Sequence, residues 1–234
     1  MRIIDISRFL ILNAAVTWLA TACTTVEPIE PPPEPAPVEI DPAIYALSGL
    51  LTAEEAIENR TRELLDAGSI GLRAGEIDDF LTRLESRLRA ALTDTTLTGY
   101  QIGDYVSVRM PVQSIFSMSS ADLDPAAFAA LASVSTILNE FQQTIIEIAS
   151  HTDGRGSADY NQELSSRRVT SLVSFLQARD VDLLRVIEAP VGAAHPVDDD
   201  GSAAGRELNR RVELTLVPIR APEPEPIVTD GSDL

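Results

Sequence analysis

The residues best suited to chemistry lie between Thr144 and Arg168, in TIIEIASHTDGRGSADYNQELSSRR. Asp153 offers a carboxylate, Asn161 an amide and Arg168 a guanidinium. A carboxylate pairs with an ammonium group and a guanidinium with a carboxylate, so these residue types together suit a zwitterion, an amino acid held by both charged ends. They predict non-covalent binding of such a ligand if the fold brings them into one pocket.

A strand and a helix must position these side chains. The β-branched run that ends at Ser150 predicts a strand buried on both faces, and Asp153 follows it in a turn with Gly154 and Gly156. Ser157 is a good N-cap for a helix that begins near Ala158. Asp153 is therefore expected between a strand end and a helix start.

Asn161 and Arg168 fall on the apolar side of that predicted helix, whereas Arg167 points elsewhere and is solvated. That side also holds Leu164, Val169, Leu172, Val173, Phe175 and Leu176. A guanidinium aimed at a core needs partners, because an unpaired buried charge is costly. If the helix start folds back against the strand end, Asp153, Asn161 and Arg168 line one pocket beside the backbone N–H groups of the first helical turn.

Two sequence blocks resemble a known family, the OmpA-like peptidoglycan-binding domain, which is also found in the peptidoglycan-associated lipoprotein and in flagellar stator proteins. They are HTDGRGSADYNQELSSRR from His151 to Arg168 and GRELNRRVEL from Gly205 to Leu214. The resemblance covers roughly Tyr100 to Pro218. The sequence departs from the family pattern at two places. Ser150 stands where glycine is usual, and the run VGAA at 191–194 stands where glycine, an aromatic residue and glycine are usual.

The resemblance implies a ligand and the residues that bind it. The ligand is the diaminopimelate residue of the peptidoglycan stem peptide, held without covalent chemistry by Asp153 and Arg168. Thr152, Asn161 and Arg210 are implied in supporting roles. By spacing alone, a structural ion pair between Asp153 and Arg168 that pins the helix start to the sheet is favoured over ligand binding, but the family blocks reverse that ranking.

The fold class expected is α/β. Strands near Tyr105–Met110, Thr144–Ala149, Val186–Ala189 and Arg211–Val217 alternate with helices after Asp124 and Ser157. With the resemblance, this order predicts an OmpA-like β-α-β-α-β-β sandwich, with helices on one face of a mixed four-stranded sheet, over residues 97–219.

The segments before and after that domain differ in composition. Residues 43–96 predict helices, broken near Gly68 to Gly75, and the second of them is amphipathic. Residues 23–42 are rich in proline and acids, which predicts an extended linker, and residues 220–234 predict a disordered acidic tail. The helical segment is expected to pack on the domain, and the alternative is an arm that binds a protein partner in the envelope.

The first 22 residues have the pattern of a secretory signal peptide: Arg2 and Arg8 precede an apolar run that ends in small residues before Cys23. The run LATAC resembles a lipobox, although its leucine is one place too far from the cysteine. Cys23, the only cysteine, is thus expected to be lipidated and to anchor the protein to the outer membrane, facing the periplasm. The alternative is ordinary cleavage to a soluble periplasmic protein.

Other classes of function are disfavoured by composition and spacing. The net charge of −18 argues against nucleic acid as a partner. His151, Asp153 and His195 lack the spacing of a metal site, and no serine sits in a Gly-x-Ser-x-Gly elbow. The chain is therefore expected to be no enzyme and to use no metal or cofactor. The family resemblance, together with the lipobox-like run before Cys23, implies that it tethers the outer membrane to peptidoglycan. The rival is an envelope assembly protein.

Overall fold

The computed structural model describes residues 53–222, without the side chain of Ala53. The predicted signal peptide, the linker with Cys23, residues 43–52 of the helical segment and most of the acidic tail lie outside the described residues. Within 53–222, no helix combines the length and the apolar character needed to cross a membrane.

Six helices and five strands are found in this part of the chain. The helices are α1 (Ala53–Asp66), α2 (Ile77–Leu92), α3 (Val112–Ile115), α4 (Phe128–Glu140), α5 (Ala158–Gln177) and α6 (Ala203–Asn209), and the strands are β1 (Thr98–Ile102), β2 (Tyr105–Pro111), β3 (Thr144–His151), β4 (Val186–Gly192) and β5 (Arg211–Pro218). They form one sheet in the order β1-β2-β5-β3-β4. β3 and β4 are parallel, and every other neighbouring pair is antiparallel.

The α/β class and the β-α-β-α-β-β order of the main elements are confirmed, with the short α6 between the last two strands, but the sheet has a fifth strand, β1, that was not predicted. The strand formers Thr98, Tyr100 and Ile102 alternate with Gly99 and Gln101, and Gly103-Asp104 follows as a two-residue turn, so the sequence carries a hairpin signal that the prediction missed. β1 pairs with β2 through a tight hairpin in which Gly103 has a φ of 53°. A Cβ at Gly99 would lie only 3.1 Å from the Cβ of Leu88, so the glycine allows α2 to pack closely on this strand.

The main core lies between one face of the sheet and helices α2, α4 and α5. The fully buried Leu81, Leu84 and Leu88 of α2 belong to this core together with the side chains of all three central strands. The described helix α1 lies on the other face, where Leu64 packs with Ile145 and Ile219. The amphipathic pattern of residues 77–92 is thus explained by packing within the protein itself.

The junction between β3 and α5 positions the polar residues of the HTD block. All eight residues of β3 are buried, and the strand runs to His151, one residue beyond the predicted end. Ser157 caps α5, because its Oγ accepts a hydrogen bond of 3.2 Å from the backbone N–H of Tyr160. Thr152 and Asp153 consequently lie in the short connection between a rigid strand and a capped helix.

Candidate functional site

A cavity of about 420 Å³ lies beside the β3–α5 connection. Three parts of the fold line it: the β3–α5 connection with α5, the residue before β5, and α3 with the loop that follows it. The lining residues are Thr152, Asp153, Arg155, Tyr160, Asn161, Leu164 and Arg168 from the first, Arg210 from the second, and Val112, Gln113, Phe116, Ser117, Met118 and Ser119 from the third. The five residues singled out from the sequence, Asp153, Arg168, Asn161, Thr152 and Arg210, all line this one cavity.

Asp153 pairs with Arg210 rather than with Arg168. Its Oδ2 lies 2.7 Å from Nη1 of Arg210, and its Oδ1 accepts a 3.2 Å hydrogen bond from the backbone N–H of Arg155. A carboxylate can accept about four hydrogen bonds, so these two contacts leave room for an ammonium group. The Asp153 side chain is 14% exposed and Arg210 38%, so the pair is partly open to solvent.

Arg168 is 3% exposed, yet most of its donors are unused. Its Nε donates to the carbonyl of Ser120 at 3.1 Å, and its guanidinium carbon lies 5.4 Å from the ring centroid of Phe116. Among residues 53–222 the two terminal nitrogens have no hydrogen-bond partner, which leaves four N–H groups. This geometry provides a fork of donors that matches a carboxylate.

The electrostatics of Arg168 are set mainly by its burial. Removal from water lowers the pKa of its guanidinium, the nearby Arg210 lowers it further, and Tyr160 and Asp153 oppose the shift. Arginine nevertheless remains charged in proteins. A buried cation with free donors is stabilised when an anion binds to it, because the anion replaces the lost hydration.

Thr152 and Asn161 complete the floor of the cavity. The Thr152 backbone N–H donates to the carbonyl of Gly192 at 2.8 Å, but its buried hydroxyl has no hydrogen-bond partner in the described part of the chain. Asn161 is 3% exposed and donates from Nδ2 to the carbonyl of Arg155 at 3.0 Å. A buried hydroxyl without a partner at a cavity is a group that a polar ligand could satisfy.

The loop after β2 forms a wall of the cavity that the sequence did not predict. Its Phe116 lies against the guanidinium of Arg168, and Met118 is 95% exposed at the mouth. Hydrogen bonds within the loop stabilise its conformation. In one of them, the backbone N–H of Ser117 donates to the carbonyl of Asp122 at 2.9 Å. The hydrogen bond from Arg168 to the carbonyl of Ser120 in this loop joins residues that are 48 positions apart, and no spacing in the sequence indicates it.

His151 is directed away from this cavity. It is 3% exposed, and burial lowers the pKa of its imidazole well below the ordinary value, with further lowering by Arg211, His195 and Arg109. Its Nε2 lies 3.9 Å from Oε2 of Glu213, which is too far for a hydrogen bond. In the range 53–222, no cluster of three histidine, cysteine or acidic side chains has the arrangement of a metal site.

Known proteins share this arrangement of elements and motifs. Residues 115–210 match the family model described as OmpA family. The probable lipoprotein YiaD of Escherichia coli (strain K12) is 33% identical over 145 residues, which cover 62% of this chain and 66% of that protein. The peptidoglycan-binding protein ArfA of Mycobacterium bovis is 30% identical over 101 residues, or 43% of this chain and 31% of that protein.

A solved structure, the cell wall anchor of the T6SS from Pseudomonas aeruginosa, superimposes with a TM-score of 0.51 at 25% identity. The superposition covers 57% of this chain and 99% of that one. The chain therefore spans about two thirds of YiaD, less than a third of ArfA and nearly the whole of this cell wall anchor. Residues 115–210 of this chain are therefore an OmpA family domain.

Proposed function

We propose that the cavity binds peptidoglycan without covalent chemistry, through the free ammonium and carboxylate of diaminopimelate in the stem peptide. The observation that carries this proposal is the presence of Asp153 and Arg168 in the wall of one open cavity, each with unused hydrogen-bonding capacity. Asp153 receives the ammonium group. Arg168 receives the carboxylate, with Asn161 and the hydroxyl of Thr152 beside it.

The names of the similar proteins support this reading. ArfA is named as peptidoglycan-binding, and the superimposed P. aeruginosa protein is described as a cell wall anchor. YiaD is named as a probable lipoprotein. Together with the pattern before Cys23, these names support a lipid-anchored protein of the outer membrane that faces the periplasm and ties the membrane to the wall.

A tether of this kind needs only modest affinity at each site. Two charge-assisted contacts contribute at most a few kcal/mol each, and desolvation of the ligand reduces that sum. The wall presents its stem peptides at high density, and many anchored copies of the protein act together. Avidity then makes the attachment lasting while single contacts exchange.

The test is binding of the full-length protein, purified in mild detergent, to soluble muropeptides. A diaminopimelate-type muropeptide should bind, whereas a lysine-type muropeptide should not, because its side chain offers an ammonium group without the carboxylate for Arg168. Asp153→Ala and Arg168→Ala should each weaken binding at least about tenfold.

Exposed neighbours provide controls, and Asp159→Ala and Arg167→Ala should bind as the wild type does. Equal retention of both muropeptides, or unchanged binding by both cavity variants, would refute the proposal.

The rival function, partner docking by the helical segment, gains no support from α2. Its apolar side chains Leu81, Leu84 and Leu88 are fully buried in the protein's own core. They are therefore not available as an apolar docking face.

A further inference from the structure

The residues next to the Asp153–Arg210 pair in the sequence are connected by a second set of contacts. Gly154, which follows Asp153, donates its backbone N–H to Oδ2 of Asp200 at 2.8 Å. Asn209, which precedes Arg210, donates from Nδ2 to Oδ1 of Asp200 at 2.8 Å. The Asp200 carboxylate thus joins the chain after β3 to the chain before β5.

Hydrogen bonds from Asn209 and Arg206 fix the position of Asp200. The Asn209 side chain is fully buried, its Oδ1 accepts from the backbone N–H groups of Val197 and Asp198 at 2.7 and 3.0 Å, and its Nδ2 also donates to the carbonyl of Asp198 at 2.8 Å. Arg206 Nη1 donates to the Asp200 carbonyl at 2.6 Å. Loop 197–200 is therefore held by several hydrogen bonds, and the carboxylate of Asp200 links it to the β3–α5 connection.

The approach of Asp200 to Gly154 requires a residue without a side chain. A Cβ at Gly154 would lie 2.4 Å from Oδ2 of Asp200, closer than any real contact of this type. Gly154→Ala must therefore displace the Asp200 carboxylate. The backbone of Gly154 is not among those with positive φ, so the alanine variant is strained by this contact alone.

We propose that Asp200 is a positioning residue for the binding site. It does not line the cavity, but it fixes the backbone on either side of the Asp153–Arg210 pair and so sets where the Asp153 carboxylate meets a ligand ammonium group. The role needs a carboxylate: both oxygens accept hydrogen bonds, whereas an asparagine would present its own N–H₂ to one of the two donors. The expected effect of Asp200 on ligand affinity rests on the proposed function. Its expected effect on the Asp153–Arg210 ion pair does not.

The experiment compares Asp200→Asn with Asp199→Asn in the full-length protein. Asp199 lies in the same loop and carries the same charge, but within residues 53–222 its side chain accepts a hydrogen bond only from nearby backbone, the N–H of Gly201 at 2.9 Å. The first readout is ligand-free: NMR signals of the Arg210 guanidinium, whose rotation is slowed by the ion pair with Asp153. We expect Asp200→Asn and Gly154→Ala to lose this slowing, as Asp153→Asn must, and Asp199→Asn to keep it.

The second readout is titration with the diaminopimelate-type muropeptide. Asp200→Asn should bind about tenfold more weakly than wild type, and should cause no further loss when Asp153 is already asparagine, because it acts through that residue. The inference would be overturned if both Asp200→Asn and Gly154→Ala gave wild-type Arg210 signals. It would also be overturned if the double variant with Asp153→Asn and Asp200→Asn lost affinity by the product of the two single losses. If the wild-type protein fails to bind the muropeptide, the proposed function fails, and the Arg210 signals still decide the role of Asp200.

Discussion

Asp153 Oδ2 and Arg210 Nη1 lie 2.7 Å apart although 57 residues separate them in the chain. One belongs to the HTD block and the other to the NRR block, so this contact joins the two sequence blocks at the cavity wall. The carboxylate that we assign to the ligand ammonium is therefore oriented by a guanidinium before any ligand arrives.

Replacing Arg210 with glutamine should affect binding more than stability. The pair is partly exposed, and exposed ion pairs contribute no more than about 1 kcal/mol to the free energy of unfolding. Urea unfolding should thus shift by less than that amount, while affinity for the muropeptide falls about three- to tenfold because Asp153 is no longer held in place. Tighter binding by the variant would show that Arg210 competes with the ligand instead of orienting its partner.

The cation–π contact between Phe116 and Arg168 offers a second prediction. Phe116→Leu removes the ring beside the guanidinium, a contact of roughly 0.5–2 kcal/mol, and should weaken muropeptide binding by about two- to thirtyfold. Phe175 is a matched control, because it also packs against a guanidinium, that of Arg179, away from the cavity. Phe175→Leu should destabilise the fold and leave calorimetric affinity unchanged at temperatures where both variants are folded. Equal affinities for the two variants would contradict the assigned role of Phe116.

The parts of the fold that the sequence predicts are those with a strong local pattern. The three- and four-residue spacing of apolar residues in α2 and the N-cap at Ser157 both give elements at the expected places. β1 was missed although its alternating residues and the Gly103-Asp104 turn indicate a hairpin, and only its close packing against Leu88 depends on the whole fold.

The site was predictable as a set of residues but not as a set of contacts. The motifs indicate Asp153, Arg168 and Arg210, yet two arginines compete for one aspartate, and local spacing cannot decide which pairs with it. The anchoring of Arg168 on the carbonyl of Ser120 and the bridge through Asp200 are long-range contacts made by loops. Such contacts depend on how elements distant in sequence are placed by the whole core.

The buried His151 predicts a loss of stability in acid. Burial lowers the pKa of its imidazole in the folded state, so below the unfolded value of about 6.5 only the unfolded chain takes up the proton. The stabilising contribution is complete above pH 6.5 and is lost as the pH falls below it, by about 1 kcal/mol between pH 7 and 5.5.

His151→Gln should flatten this part of the stability profile, measured by urea unfolding at several pH values. Ser165→Ala, a change at another fully buried position that neither adds nor removes a titratable group, is the control and should retain the wild-type slope. A His151→Gln profile parallel to that of wild type would mean that the acid sensitivity arises from other groups.

Packing of α2 into the main core predicts that the folded unit begins before residue 97. Leu84 is fully buried beside the sheet, so Leu84→Ala should lower the free energy of unfolding by about 2–5 kcal/mol through lost burial and the cavity left behind. Arg83→Ala, at the exposed neighbouring position, should change it by less than about 0.5 kcal/mol. A fragment of residues 97–219 should be less stable than one of residues 53–222, because it exposes the core surface that α2 covers. If Leu84→Ala costs under 1 kcal/mol and both fragments unfold at the same urea concentration, α2 is an appendage, and the boundary at 97 marks the true start of the cooperative unit.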